Sequence, residues 1–372
     1  MKVLTILGTR PEIIRLSRVI PLLDEAVGRA NHLLVHTGQN HDPGLSQVFF
    51  DELGLRAPDI QLEMQGSFGE QLAALLPAIE LLLTATRPDR VLILGDTNSS
   101  LAAIPAARLG LSVYHMEAGN RSYSPTSPEE VNRRLIDHAS RVLLPYTERS
   151  RANLLAEGIP SDRVFVTGNP IWEVIQHYGR QIDLAAAAVR ERLGLTARQF
   201  FLVTLHRAEN IDDPARLRNF IEAFNQLQYT YLHPVIVSTH PHLQQRIDAL
   251  NLRGGDLSPS VRFLPPFPFF DFIALQRAAF CTLSDSGTVQ EESCLLQTPS
   301  VTLRDHTERP ETVECGTSVL SGADPARILD LVRLVTRADH ASWTPPADYL
   351  RTNVAETVVR ILLSYLPERQ AV

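Results

Sequence analysis

The chain has 372 residues, of which 44% are hydrophobic and 21% are charged, so it is long enough for two globular domains and is not disordered. Its net charge of −7 argues against binding to nucleic acid or to an anionic membrane surface. No apolar run is expected to approach the length of a membrane span, and the first predicted strand starts at Lys2 with no signal peptide before it. These features predict a cytoplasmic protein.

The first half of the chain alternates predicted strands and helices. A strand over 2–7 (KVLTIL) precedes a helix over 11–26, and the strand HLLVHTGQN follows. A helix over 69–85, the strand RVLILGD, a helix over 99–109 and a strand ending before Glu117 come next. RVLLP and RVFVTGNP are each predicted to be a further strand. Short apolar strands separated by helices indicate a parallel, doubly wound sheet.

An alanine-rich helical stretch over 171–195 is predicted to bridge two domains, after which the alternating pattern starts again. Five strand ends follow it: FFLVTLHRAEN, PVIVSTHP, VRFLPP, AFCTLSDSG and SVTLRD. The sequence therefore predicts an α/β fold with two Rossmann-like domains, 1–170 and 171–348, that face a cleft. A C-terminal helix within 349–372 is predicted to cross back onto the first domain.

The residue types present exclude several kinds of chemistry. Lys2 is the only lysine, so Schiff-base and pyridoxal chemistry lack their nucleophile and a P-loop lysine is missing. No GxGxxG follows a strand and no GxSxG is present, which argues against a dinucleotide cofactor and against an α/β-hydrolase. Cys281, Cys294 and Cys315 show no metal-ligand spacing and are predicted to be small buried residues in a reducing compartment. We therefore expect neither a cofactor nor a metal.

The stretch HMEAGNRSYSPTSPEEVNRRLIDH carries the first candidate site. Glu117 follows a predicted buried strand, and Glu129 and Glu130 occupy the first turn of a proline-initiated helix. Asp96 ends the preceding strand, in LGDTNS. Simple helix capping by the two adjacent glutamates is the alternative. Carboxylates at the carboxyl ends of neighbouring parallel strands favour acid/base chemistry.

The stretch SDSGTVQEES carries the second candidate site, because it follows a strand and opens a helix. Backbone N–H groups of Ser286, Gly287 and Thr288 are predicted to bind an anion with help from the helix dipole. Glu292, one turn later, is a candidate for ribose hydroxyls. The alternative is an ordinary helix N-cap.

Arginines and histidines at strand ends complete the candidate set. Arg10 and Arg15 in the first helix and Arg309 after a late strand suit phosphate recognition, or else are solvated charges. His206 begins the loop after the first strand of the second domain, and His240 holds a similar position as a weaker candidate. A structural role is the alternative for both histidines. His115 and His138 are expected to be structural.

Nine motifs recur in order between Gly8 and Glu311, and together they resemble those of the non-hydrolysing UDP-N-acetylglucosamine 2-epimerases. They are GTRPE, HTGQN, LGDTNS, HMEAGNR, PEEVNRRLIDH, TGNP, LHRAEN, SDSGTVQEE and TERPE. The resemblance implies a glycosyltransferase-B-like fold, a homodimer, and interconversion of UDP-GlcNAc and UDP-ManNAc for polysaccharide biosynthesis.

Carried over position by position, the resemblance implies specific roles. Asp96, Glu117 and Glu129 would be the acid/base carboxylates, and His206 would assist departure and return of UDP. The residues that would hold the nucleotide are Arg10, Ser286, Gly287, Thr288, Glu292 and Arg309, with Phe272 beside the uracil.

The chain departs from the family pattern at three positions that bear on function. Arg15 stands where a lysine is usual, Thr288 replaces the second glycine of SDSGG, and Ala208 replaces an arginine of HRREN. That arginine belongs to a second, activating UDP-GlcNAc site in some members. The segment MQGSFGEQ also differs from the usual pattern.

Several motifs look most like the branch that makes UDP-N-acetyl-L-fucosamine, namely GTRPEIIRLSRV, MEAGNR and LSDSGT. The sequence therefore predicts a UDP-N-acetylhexosamine 2-epimerase that works by elimination and re-addition of UDP. Four alternatives stay open: the same reaction on a UDP-6-deoxyhexosamine, a variant that hydrolyses the intermediate to free sugar and UDP, a glycosyltransferase of the same architecture, and a non-catalytic sugar-nucleotide-binding protein.

Overall fold

A computed structural model of the chain describes residues 1–39, 43–125, 127–250, 256–337 and 343–365. The chain forms two compact units, Met1–Gln176 with Ala347–Val372 and His177–Pro346. Asn40 of the HTGQN motif and the end of the predicted C-terminal helix, from 366 onward, lie outside the described residues.

The first unit contains a parallel six-stranded sheet in the order β3-β2-β1-β4-β5-β6. Its strands are β1 (Val3–Leu7), β2 (His32–His36), β3 (Ile60–Gln61), β4 (Arg90–Leu94), β5 (Ser112–Met116) and β6 (Val142–Leu144). Its helices are α1 (Arg10–Leu16), α2 (Val19–Val27), α3 (Pro43–Glu52), α4 (Phe68–Thr86), α5 (Ala103–Arg108), α6 (Pro128–Ala139), α7 (Glu148–Ala156) and α8 (Pro170–His177). The chain reverses its direction of travel across the sheet between β1 and β4, and open α/β sheets bind ligands at such a point.

The second unit repeats this design in the order β12-β11-β10-β7-β8-β9. Its strands are β7 (Phe201–Leu205), β8 (Val235–Thr239), β9 (Val261–Leu264), β10 (Cys281–Ser284), β11 (Ser300–Thr302) and β12 (Ser318–Leu320). Its helices are α9 (Gly179–Leu193), α10 (Ala208–Ile211), α11 (Pro214–Tyr231), α12 (Pro241–Ala249), α13 (Phe269–Ala278), α14 (Gly287–Leu295), α15 (Pro310–Glu314) and α16 (Pro325–Val335). The equivalent reversal lies between β7 and β10. Two doubly wound parallel sheets confirm the predicted fold class.

Prolines explain two differences from the predicted helices of the first unit. The helix expected over 11–26 is two helices, because Pro21 has no N–H to donate to Ser17 and its ring would clash with that carbonyl. The helix expected over 99–109 begins as a 3₁₀ turn, Asn98–Ala102, and becomes α-helical only two residues before Pro105.

Other segments differ from prediction for reasons of length. The RVFVTGNP stretch is not a strand, since Val164 makes only an isolated bridge to Leu143. The short strands β3 and β12 were not predicted because two or three residues show no clear alternation.

The C-terminal helix, α17 (Val354–Ser364), begins after a separate 3₁₀ turn and packs against α2. The Ala355 amide donates to Glu173 over 2.8 Å, which anchors α17 on the first unit.

The prediction that every apolar run is shorter than a membrane span is wrong for helix α4. Its 19 residues are long and apolar enough to cross a membrane by length and composition alone. One face of α4 packs into the core of the first unit through Leu75, Ile79 and Leu83. Its other face leaves Leu81 73% exposed, together with Pro77.

Candidate active site

The structure brings Asp96 and Glu117 together at one edge of the first sheet. β4 and β5 pair in parallel, with Leu94 opposite Met116, so the residues that follow these strands are neighbours. Gly95 precedes Asp96 and adopts a φ of +77°, and a Cβ on it would lie 4.0 Å from the Glu117 carboxylate. The sequence predicted this grouping from the strand ends alone.

Glu117 has the left-handed backbone conformation that a non-glycine residue rarely adopts, with a φ of +67°. Its amide donates to the Leu144 carbonyl over 3.1 Å, which holds this conformation. Its carboxylate pairs with Arg15 and accepts a hydrogen bond of 3.3 Å from Asn120. Backbone strain of this kind concentrates at functional sites.

Arg15 is a buried partner rather than a surface charge. It is 2% exposed, and its guanidinium lies 5.6 Å from the centre of the Tyr146 ring. The solvated-charge alternative is therefore wrong for Arg15. A planar guanidinium stacks on an aromatic face in a way that lysine does not, so Tyr146 suits the arginine found here.

Asp96 is held by Arg133, a residue that the sequence did not single out. The Nε and Nη2 atoms of Arg133 lie 2.8 and 2.7 Å from the Oδ2 of Asp96. Arg133 also reaches Glu130 at 3.1 Å, across one turn of α6. That spacing was visible in PEEVNRR as an i,i+3 pair, but the link from Arg133 to Asp96 was not.

The two adjacent glutamates at the start of α6 have different environments. Glu130 is buried and accepts from the Ser122 amide at 2.8 Å and the Ser122 hydroxyl at 3.1 Å, which pins the preceding loop. Glu129 is half-buried and accepts from the Ser127 hydroxyl over 2.8 Å. The assignment of Glu129 as an acid/base group stays a prediction.

The GTRPE loop after β1 is organised by Glu12 rather than by Arg10. Glu12 accepts from the amides of Gly8 at 2.5 Å and Thr9 at 3.0 Å, and from the Thr97 hydroxyl at 2.6 Å. Burial raises its pKa to about 7. Glu12 thus links the loop after β1 to Thr97, the residue that follows Asp96. Arg10 is exposed, and its guanidinium lies 5.7 Å from the centre of the Phe49 ring.

His115 is buried under this edge of the sheet in a structural position. Its ring nitrogens lie 2.8 Å from Asp137 and 2.9 Å from the Gly95 carbonyl. Burial raises the pKa of Asp137, but the hydrogen bond and charge of His115 and the charge of Arg121 outweigh it and keep that pKa low.

In the second unit, His206 and Asp285 meet at the chain reversal between β7 and β10. The Nδ1 of His206 lies 2.7 Å from Asp285, while half of the His206 side chain is exposed. Asp285 is fully buried and also accepts from the amides of His206 and Arg207 and from Asn210, at 3.0–3.1 Å. Burial raises the pKa of Asp285, but His206 and these donors outweigh it and lower the pKa to about 2.

Asp285 is a site residue within the SDSG motif, and nothing in its sequence context indicated a role for it. Its contact with Nδ1 fixes the orientation of the imidazole, while half of the His206 side chain stays exposed. A lone strand-end histidine gave no sign of this partner, which is 79 residues away.

The start of α14 lies against a cluster of three arginines. A Cβ on Gly287 would meet the Glu308 carboxylate at 2.7 Å, so a larger residue there would have to displace that carboxylate. Arg304 lies 2.7 Å from Glu308, Arg207 lies 3.6 Å from it, and Arg309 lies 3.9 Å from it. Three guanidinium groups therefore lie close together beside a helix N-terminus, and both arginines and helix N-termini are groups that bind phosphate.

Arg309 also pairs with Glu291 of α14, so it joins the start of α15 to α14. Both Arg309 and Glu292 are at most 5% exposed, which makes them buried residues rather than solvated charges. Ser286 is the N-cap of α14, and Thr288 in its first turn is half-buried.

The contacts of two predicted binding residues, Phe272 and His240, do not indicate a ligand. Phe272 lies in α13 and is 9% exposed. That helix packs on α14 through Gln276, which donates to the Val289 carbonyl at 3.0 Å. His240 is exposed at the N-cap of α12, where it accepts from the His242 amide at 3.5 Å. Their roles stay predictions.

Comparison with known proteins places the chain in a family. The family described as UDP-N-acetylglucosamine 2-epimerase matches residues 25–363. The UDP-N-acetylglucosamine 2-epimerase of Methanocaldococcus jannaschii is 37% identical over 97% of this chain and 99% of its own length. The UDP-2,3-diacetamido-2,3-dideoxy-D-glucuronate 2-epimerase of Pseudomonas aeruginosa is also 37% identical, over 90% of this chain and 92% of its own.

Solved structures agree with these sequence relatives. The M. jannaschii enzyme in complex with UDP-GlcNAc and UDP has a TM-score of 0.90 at 38% identity, covering 98% of this chain and 99% of that one. The Neisseria meningitidis UDP-GlcNAc 2-epimerase bound to UDP-GlcNAc has a TM-score of 0.88 at 29% identity, covering 98% and 100%. The motifs, the two doubly wound sheets and these relatives together show that the chain belongs to the UDP-N-acetylglucosamine 2-epimerase family.

Proposed function

We propose that this protein inverts carbon 2 of a UDP-N-acetylhexosamine, with UDP-GlcNAc and UDP-ManNAc as the first pair to test, by eliminating UDP and adding it back. The observation that carries the proposal is the pair of carboxylates at the ends of β4 and β5, each held by an arginine from a different helix. Fixed carboxylates with charged partners are what proton transfer at a carbon centre requires.

The chemistry of the substrate explains the route. The hydrogen on carbon 2 has no adjacent carbonyl, so its direct removal as a proton is too difficult. Breaking the C2–H bond and the C1–O bond to UDP gives a 2-acetamidoglycal, and the proton passes to a carboxylate. UDP then adds back to carbon 1 while a proton reaches carbon 2 from the opposite face. Asp96, Glu117 and Glu129 are the proposed proton carriers.

The second unit supplies the groups for the departing UDP. The amides at the start of α14 and the arginines around Glu308 suit the diphosphate, and Glu292 suits the ribose. His206, held by Asp285, is proposed to donate to the phosphate oxygen as its charge grows.

Turnover in heavy water tests the elimination. The expected result is deuterium from solvent at carbon 2 of the product, detected by proton NMR. Product that keeps protium at carbon 2 would contradict the elimination mechanism. The reaction run with sugar nucleotide and no acceptor also separates an epimerase from a glycosyltransferase.

A panel of UDP-sugars determines which hexosamine the protein prefers. Two relatives of equal identity are named for UDP-sugars that differ away from carbon 2. The substrate panel should therefore contain UDP-GlcNAc, a UDP-2,3-diacetamido uronate and a UDP-6-deoxyhexosamine. The highest kcat/KM in this panel identifies the preferred class.

We also propose a homodimer that acts in the cytoplasm. All three cysteines are free thiols, as a reducing compartment favours. The outer face of α4 exposes Leu81 and Pro77, and exposed apolar residues on one face of a helix are typical of an interface.

Replacing Leu81 by glutamate is expected to shift the protein from dimer to monomer, because it places a charge in the centre of an apolar interface. Sedimentation equilibrium measures the change. Leu184→Glu is the matched control, since Leu184 is 70% exposed on α9. A wild-type monomer, or a dimer that persists in Leu81→Glu, would contradict this interface.

A further inference from the structure

Two of the three cysteines form a close pair in the second unit. The Sγ atoms of Cys294 and Cys315 are 3.6 Å apart. Cys294 lies in the last turn of α14, and Cys315 is the C-cap of α15. The sequence spacing of 21 residues gave no sign of this pairing, and the expectation that all three cysteines are buried is wrong for Cys315, which is half-buried.

The surroundings of the pair polarise its two thiols. The Thr317 hydroxyl lies 3.0 Å from the Cys315 sulfur and 3.2 Å from the Cys294 sulfur. The hydrogen bond from Cys294 lowers the pKa of Cys315, and the same contact, with burial, raises the pKa of Cys294. The less buried of the two cysteines is therefore also the one with the larger thiolate fraction.

We propose that Cys294 and Cys315 are a modification site for small-molecule disulfides of the glutathione class, and that the resulting protein disulfide weakens binding of UDP. The Cys315 thiolate attacks one sulfur of the oxidant, forms a mixed disulfide and releases one thiol. Cys294 then attacks the Cys315 sulfur, forms the Cys294–Cys315 bond and releases the second thiol. Two protein thiols are oxidised, one external disulfide is reduced, and the two protons leave on the released thiols.

Geometry favours the second step over a stable mixed disulfide. The resolving sulfur already lies 3.6 Å away, and a disulfide requires about 2.05 Å. The closure must therefore shorten the distance between the two sulfur atoms by more than 1 Å, through rotation of the two side chains together with movement of the ends of α14 and α15.

The same two helices carry the nucleotide groups, so the effect on UDP rests on the proposed function. Glu292 lies two residues before Cys294, and Arg309 is the N-cap of the short helix that Cys315 ends. Gln290 contacts the Thr312 hydroxyl, and Arg309 pairs with Glu291, so side chains from the middle of α14 hold α15. Closing the sulfur pair shifts these groups, and we expect UDP affinity to fall at least about fivefold, the lower end of ordinary coupling between sites.

The experiment compares reduced protein with protein treated with glutathione disulfide. Peptide mass mapping locates the cross-link by the loss of two hydrogen atoms, and calorimetric titration gives the Kd for UDP. Cys315→Ser removes the attacking sulfur. Cys281→Ala is the matched control, because Cys281 is fully buried with a strongly raised pKa. A melting curve for each variant checks its folding.

The proposal expects a Cys294–Cys315 cross-link and weaker UDP binding in wild type and Cys281→Ala, both reversed by dithiothreitol, and neither in Cys315→Ser. A stable mixed disulfide on Cys315, or a cross-link that leaves the Kd for UDP unchanged, would overturn it. Failure of the proposed function looks different: reduced protein would then bind no UDP. A cross-link in such protein supports the disulfide site and overturns its coupling to UDP.

Discussion

Replacing Glu117 by glutamine, or Asp96 by asparagine, is expected to reduce turnover by at least about a hundredfold, the usual scale of general acid–base catalysis. Each change keeps the size of the side chain and removes its ability to exchange a proton. UDP affinity should change much less, because most of the proposed nucleotide groups lie in the second unit. Steady-state rates on UDP-GlcNAc and calorimetric UDP titration measure the two effects.

Glu130→Gln is the matched control for these variants. Glu130 neighbours Glu129, but its carboxylate is engaged by Ser122 and Arg133, so the structure assigns it to holding the loop. Its loss should cost less activity than that of Glu117 or Asp96. Near-normal rates in both Glu117→Gln and Asp96→Asn would remove these residues from the mechanism.

His206→Ala is expected to slow the reaction about a hundredfold to a thousandfold, the range found when one donor to a developing negative charge is removed. Asp285→Asn should slow it as well, because the amide cannot provide the full charge that now faces Nδ1 of His206 at 2.7 Å. If Asp285 acts through His206, the double variant should be no slower than His206→Ala. Single-turnover rates of the four proteins give this comparison.

His242→Ala serves as the control for this pair. His242 lies 3.1 Å from Asp212, but both side chains are about 40% exposed. A solvated pair of this kind contributes little, and its loss should leave the rate nearly unchanged. Multiplicative losses in the Asp285 and His206 double variant would show that Asp285 acts on its own rather than by positioning the imidazole.

Local patterns were enough to place the ends of the strands. Strand ends are marked by a change from an apolar run to small and polar residues, so LGDTNS, HMEAGN and LSDSG located Asp96, Glu117 and Ser286 before any coordinates. Where local signals were weak, prediction failed. Pro21 and Pro105 divided two helices, and β3 and β12 were too short to show alternation.

The sequence by itself determined the fold class, the family resemblance and which residue types lie at the ends of strands, because these depend on short-range periodicity and on ordered motifs. The tertiary structure decided the partnerships. Arg15 joins Glu117 across 102 residues, Arg133 joins Asp96 across 37, and His206 joins Asp285 across 79. Strand order brings these residues together, and hydrophobic alternation within one strand carries no information about which strand lies beside it. The charged partner of each predicted catalytic residue therefore could not be predicted from the sequence and was found only in the tertiary structure.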